Sequence, residues 1–281
     1  MPSYRRRSQL APAHAAAYLS LFLLLPRLAC AELPSVASIN LCTDQLVLSV
    51  ADPAQIRSLS WLSADPEESM LANQASVYPL NYGSAEELMA IGADVVIAGS
   101  QTSPFTRSLL RRLGSTIVEI EPAASLDDVE RNLRAVGAAI GRDREAGAAT
   151  ASMRARVGAM RERRDARTRS AVVVRAGGFT VGRNTLANEL IGLAGLDNVV
   201  ANLDRWGSLS IETLLATKPE VIIMTSYRES EASLANSFFS HPGLASIAGA
   251  TRLEVPARYF ACGAPESLAA AELLLEQMAP R

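Results

Sequence analysis

Two glutamates, Glu86 and Glu212, stand at matching places in two copies of one short segment. The first copy runs from Ser84 through Glu86, Leu88, Ala90 and Asp94 to Val95-Val96-Ile97. The second runs from Ser210 through Glu212, Leu214, Ala216 and Glu220 to Val221-Ile222-Ile223. A carboxylate can pair with arginine or accept several hydrogen bonds. An acid near a helix N-terminus is favoured by the macrodipole in any case, and Ser84 and Ser210 are ordinary caps. The structural reason does not explain why the two acids match. A chain that repeats one αβ unit so far apart carries two similar lobes, and two lobes imply a cleft.

Other residues bear chemistry less specifically. Gly177-Gly178 and Gly182 form a glycine-rich loop, but the spacing misses GxGxxG and no acid follows at the ribose-reading distance. The loop is either a plain strand-to-helix connection or a ligand loop offering Phe179 and Arg183 to a cleft. Aromatic residues are 5% of the chain, and several fall in loops. Trp61, Tyr78 and Tyr82 belong to a long loop in the first half. Phe179, Trp206, Tyr227, Tyr259 and Phe260 lie in loops of the second. Such rings pack as satellite core or wall a flat-sided pocket, and both readings stand open.

Two absences narrow the chemistry. Histidine occurs only at His14 and His241, too few for a Ser-His-Asp triad plus anything else or for a multi-histidine zinc site. Lysine occurs only at Lys218, so no P-loop exists, and no GxSxG elbow is present. No residue is assigned a catalytic role, and the chain is expected not to be an enzyme.

The elements that would position these residues alternate. Val36–Ile39 reads as a strand, and Asn40 opens a polar loop in which Thr43 or Asp44 caps a helix over 45–50. Strands are expected at 56–60, 95–98 and 117–120, with helices at 106–113 and 126–140. Ser84 and Glu87 have capping-box spacing. Residues 143–169 read as one long, polar, arginine-rich helix with Met153, Val157 and Met160 on one side, suited to bridging domains. The second half resumes with a strand at 171–174 and a helix at 186–194 capped by Thr185. A closing helix is expected over 266–278. Strands alternating with helices imply α/β lobes with parallel sheets, whose ligands meet loops at the carboxyl ends of strands.

The 281 residues suffice for two such lobes, expected at 32–141 and 170–281 around the 142–169 helix. The net charge is −2 and no basic patch dominates, which argues against a nucleic-acid partner. Arg5-Arg6-Arg7, an apolar stretch densest over 15–25 and Ala29-Cys30-Ala31 read as a secretory signal peptide cleaved after Ala31. Pro26 and Arg27 break the apolar run before it reaches membrane-spanning length. Acylation of Cys30 is the lesser alternative. The remaining cysteines, Cys42 and Cys262, fall in loops of opposite lobes. Two unpaired thiols are the preferred reading, with a disulfide tethering the lobes as the alternative.

These segments resemble the periplasmic substrate-binding proteins that serve iron-siderophore, haem and cobalamin importers. Ser84…Glu86…Leu88…Asp94-Val95-Val96-Ile97 is similar to one block of that family. Ile39-Asn40-Leu41-Cys42-Thr43-Asp44-Gln45 resembles its first strand-loop-helix. Thr185-Leu186-Ala187-Asn188-Glu189-Leu190…Ala194-Gly195-Leu196-Asp197-Asn198-Val199 and His241-Pro242-Gly243-Leu244 resemble two more. The resemblance covers about Val36 to Met278. It implies two Rossmann-like lobes joined by one long α-helix, a monomer that flexes little, and a ligand held between lobes without chemistry. It also implies that Glu86 and Glu212 meet arginines of a two-fold ATP-driven (ABC) permease in the inner membrane, after export to the periplasm. The ligand expected is a metal-organic chelate rather than a bare metal or a cofactor, since the chain lacks the histidines of its metal-binding relatives. Arg183, Arg205 and Arg228 with aromatic walls suit a ferric siderophore, the preferred ligand. Trp61, Trp206 and Phe179 would suit cobalamin, and Tyr78, Tyr82 or Tyr227 could ligate haem. Asn40, Trp61, Tyr78, Tyr82, Phe179, Arg183, Trp206 and Tyr227 are the candidate ligand-binding residues.

Overall fold

Alternate residues of the central strands face two different cores, and this organises both halves of the chain. In a computed structural model, residues 32–165, 167–225, 234–245, 247 and 249–279 are described. The first half holds strands β1 (Val36–Ser38), β2 (Ile56–Ser60), β3 (Leu80–Asn81), β4 (Val95–Gly99) and β5 (Thr116–Ile120). They form one parallel sheet in the order β3-β2-β1-β4-β5. Val36, Val95 and Ile97 pack on one face with helices α1 (Leu41–Val50) and α5 (Leu126–Ala139). Ala37 and Val96 pack on the other with α3 (Ala85–Ile91) and α4 (Pro104–Arg112), while α2 (Ala72–Ala75) sits in the long loop. Burial on both faces is why these strands read as unbroken apolar runs.

The second half repeats the plan. Strands β6 (Arg169–Arg175), β8 (Leu196–Asn198), β10 (Val221–Thr225) and β11 (Thr251–Glu254) form a parallel sheet in the order β11-β10-β6-β8. Ala171, Val173, Val221 and Ile223 face the core shared with α7 (Leu186–Leu193) and α10 (Leu268–Met278). Val172, Val174 and Ile222 face Leu214 of α8 (Ile211–Thr217) and Leu244 of α9 (Pro242–Ala245). Strands β7 (Phe179–Val181) and β9 (Trp206–Ser208) add a small antiparallel ribbon where the sequence suggested only loops. The fold is therefore α/β, two parallel-sheet lobes with one long helix between them.

That helix is α6 (Asp143–Arg163), whose 21 residues span about 31 Å. It buries Ala146, Thr150, Met153, Val157 and Met160, a stripe at helical spacing that meets the inner faces of both lobes. Burying each large side chain of this stripe contributes about 1.5–3 kcal/mol. Arg156 clamps the helix to α10 through two 2.9 Å bonds to the Glu272 carboxylate, and its Nη1 donates to the Pro265 carbonyl at 2.9 Å. The helix stops at Arg163, short of the expected 169, because Arg164 turns extended (ψ 144°) and β6 begins at Arg169.

Local capping differs from expectation in two places. Asn40 caps α1, its side-chain oxygen accepting from the Cys42 N–H at 3.0 Å, so the helix starts four residues early. Thr43 and Asp44 are therefore inside the helix and buried. In α3, Ser84 accepts from the Glu87 N–H, but the Glu87 carboxylate reaches past the cap to the Tyr82 N–H at 2.7 Å. The predicted reciprocal box is replaced by a bond that holds Tyr82.

Candidate functional site

The carboxyl ends of both sheets open onto one cleft. Strands β1, β4 and β5 deliver Asn40, Gly99–Gln101 and Glu121–Ala124 to its first wall. The turns after β7 and at the start of β9 deliver Asn184–Ala187 and Arg205–Trp206 to the second. The cavity between them measures about 320 Å³. A second, of about 440 Å³, lies over the second sheet and is lined by Arg175, Phe179, Trp206 and Thr225. Trp206 borders both. Cavities of this size suit a small-molecule ligand.

The floor of the cleft is locked. Cys42, in the first turn of α1, is disulfide-bonded to Cys262, in the loop after β11, with Cα atoms 4.9 Å apart. This corrects the preference for unpaired thiols. The two cysteines lie 220 residues apart, and only the docking of the lobes brings them together. Beside the disulfide, Gly263 approaches Ala123 so closely that a Cβ on it would sit 2.3 Å from the alanine methyl. The Leu126 N–H, at the start of α5, donates across the same junction to Glu189 of α7 at 2.8 Å.

Next to Cys42, the Asp44 carboxylate is fully buried. It accepts from the Ser60 N–H at 3.1 Å and from the Ser60 hydroxyl. Burial pushes its pKa up to about 7, although hydrogen bonds from Ser38 and Ser60 pull against the shift. The folded protein thus holds this proton more tightly than the unfolded chain. Its contribution to stability is fully present below the ordinary carboxylate range and is lost as pH rises through about 7. The penalty approaches about 4 kcal/mol above that pH. Asp44→Asn is expected to match the parent near pH 3 and to unfold at a higher temperature at pH 8. Parallel pH profiles for the two proteins in thermal unfolding would contradict the assignment.

The chain matches the periplasmic binding protein family over residues 36–252. It belongs to that family. Over 148 residues it is 30% identical to the cobalamin-binding protein of Halobacterium salinarum, an alignment covering 50% of this chain and 40% of the relative. The fold is shared with the periplasmic heme-binding protein RhuT from Roseiflexus sp. RS-1 (TM-score 0.72, 20% identity, 86% of this chain and 98% of that one). It is shared too with the heme-binding protein HutB of Vibrio cholerae (TM-score 0.75, 15% identity, 88% and 99%).

In this periplasmic binding protein the expected site residues fall into four groups. Phe179 and Trp206 stand about half exposed at the second cavity, and Asn40 lines the first while its side chain serves as a cap. Trp61 and Tyr82 follow β2 and β3 and stack on each other, with ring centroids 6.1 Å apart and planes at 29°. They form an exposed aromatic pair that lines neither of these cavities. Tyr78 packs against the core, and Arg183 faces Asp204 at 3.7 Å on the exposed edge of the ribbon. Tyr227 and Arg228 lie outside the described residues.

Glu86 and Glu212 occupy the same position, the second helical residue, of α3 and α8, and both are exposed. The Glu212 carboxylate is held below the usual range by its own backbone N–H, then by the Ser210 hydroxyl, with His241 adding a smaller electrostatic effect. The sequence reading missed Arg175. It ends β6 directly after four buried residues, and its guanidinium lies 5.0 Å from the centre of the Trp206 ring. The available signal was an arginine closing an apolar strand whose carboxyl end faces a cleft.

Proposed function

We propose that this chain is the solute-capture component of an ATP-driven importer. It holds a metal-organic chelate between its lobes and presents it to a two-fold permease through Glu86 and Glu212. The observation that carries this reading is the pairing of a cleft at the carboxyl ends of both sheets with one exposed acid at the same helical position in each lobe. The family supports capture rather than catalysis. In this reading residues 1–31 are a signal peptide and the mature chain works in the periplasm.

A ferric siderophore remains the first choice of ligand, with the cleft's aromatic rings and arginines as its contacts. A corrinoid is the second, favoured by the relative named for cobalamin. Trp61 and Trp206 are the only two tryptophans and both are exposed, so they report on binding directly. The exported chain, expected to begin at Glu32, should change its tryptophan emission on titration with ferrichrome, ferric citrate, hemin or cyanocobalamin. Silence towards all four, confirmed by calorimetry, would end the reading.

A further inference from the structure

We propose that Arg175 is the anion-recognition residue of the cleft, pairing with a carboxylate or phosphate group of the bound chelate. This inference rests on the capture reading above.

Arg175 and Thr225 are the last residues of β6 and β10, paired side by side in the parallel register. Directly paired residues of neighbouring strands project to the same face of a sheet. Both line the second cavity. The guanidinium stacks against Trp206, an arrangement that holds the planar fork in place without neutralising it. Among the described residues no carboxylate pairs with Arg175, although ten ion pairs involve other arginines of the chain. Burial lowers its pKa, and among the described residues no neighbouring charge opposes that shift. The Thr225 residue is 2% exposed, and its hydroxyl has no hydrogen-bond partner.

A half-buried cation without a counter-charge and a buried hydroxyl without a partner both cost stability in the empty protein. Both costs fall at one wall of one cavity. An oxygen anion placed there satisfies the two groups together. The guanidinium gives a bidentate fork and Thr225 gives a third donor. Phe179 and Trp206 then flank the apolar body of the same ligand. The site discriminates by charge: a chelate with an acidic group gains the pair, and a neutral or cationic one leaves the arginine buried and unpaid.

The test uses the mature chain with its disulfide intact. Arg175→Gln should weaken binding of acid-bearing chelates about 10- to 100-fold and change that of neutral ferrichrome less than about threefold. Hemin and ferric citrate present carboxylates and cyanocobalamin a phosphodiester, so the three separate the two sources of the anion. Equal losses for acidic and neutral chelates would reduce Arg175 to packing and overturn the proposal. A second measurement does not depend on the ligand. Arg175→Met should leave the unfolding temperature of the empty protein unchanged or raise it, and phosphate at fixed ionic strength should stabilise the parent but not this variant. A marked loss of stability in Arg175→Met, or equal stabilisation of both by phosphate, would overturn it. If no chelate binds, the capture reading fails, while this second measurement still decides the role of Arg175.

Discussion

Replacing Glu86 and Glu212 together by alanine is expected to stop chelate uptake by whole cells while leaving affinity within about threefold. Both side chains are exposed at the starts of α3 and α8 and contribute no wall to either cavity. Exposed substitutions away from a site change its energetics by about 0.5 kcal/mol at most. Docking as proposed is different, because a two-fold permease would meet both lobes at once. Losing one acid removes half of a bivalent contact, and losing both removes the gain in effective concentration that the pair provides. Each single variant should therefore retain partial uptake and the double variant none. Uptake of radiolabelled chelate against affinity measured on the purified protein separates the two effects. A collapse of affinity in the double variant would place these acids in the pocket instead.

The second large effect concerns stability. Cys42→Ser with Cys262→Ser removes a cross-link that closes nearly the whole described chain into a loop. Loop closure on this scale is worth about 5 kcal/mol in the chain-entropy account. For a protein of this size that lowers the unfolding midpoint by about 10 °C. Thermal unfolding followed by circular dichroism, with and without reductant, checks it. The double serine variant should be insensitive to reductant, and the parent should fall to its level. Equal midpoints in the parent with and without reductant would show that the thiols do not pair.

Much of the architecture was legible because it is written locally. The stripe of Met153, Val157 and Met160 announces α6, and Ser84, Ser125, Thr185 and Ser210 each cap the helix that follows them. Alternation of apolar runs with such helices was enough for two parallel-sheet lobes. The start of α1 was misplaced because three polar residues within five positions, Asn40, Thr43 and Asp44, compete for one cap. Only tertiary contacts decide that contest, by burying Asp44 against Ser60. The site was legible in part. Loop aromatics pointed to the cleft through Phe179 and Trp206, but Tyr78 shows that an aromatic in a loop can as well serve the core. Arg175 was passed over, and the disulfide stood only as the lesser alternative, for one reason. Their meaning lies in what faces them across the fold, and local spacing carries no record of that.

The cross-link also sets an order of events. A chain made from its amino end exposes the thiol of Cys42 long before Cys262 exists, 220 residues later. In that interval the nearest competing thiol is Cys30, the first of the chain's three cysteines. Cleavage after Ala31, as proposed, would take Cys30 away and leave Cys42 a single intramolecular choice. Leader removal would then act as proofreading for oxidation: the bond could close only after the second lobe has been delivered, and only with the right partner.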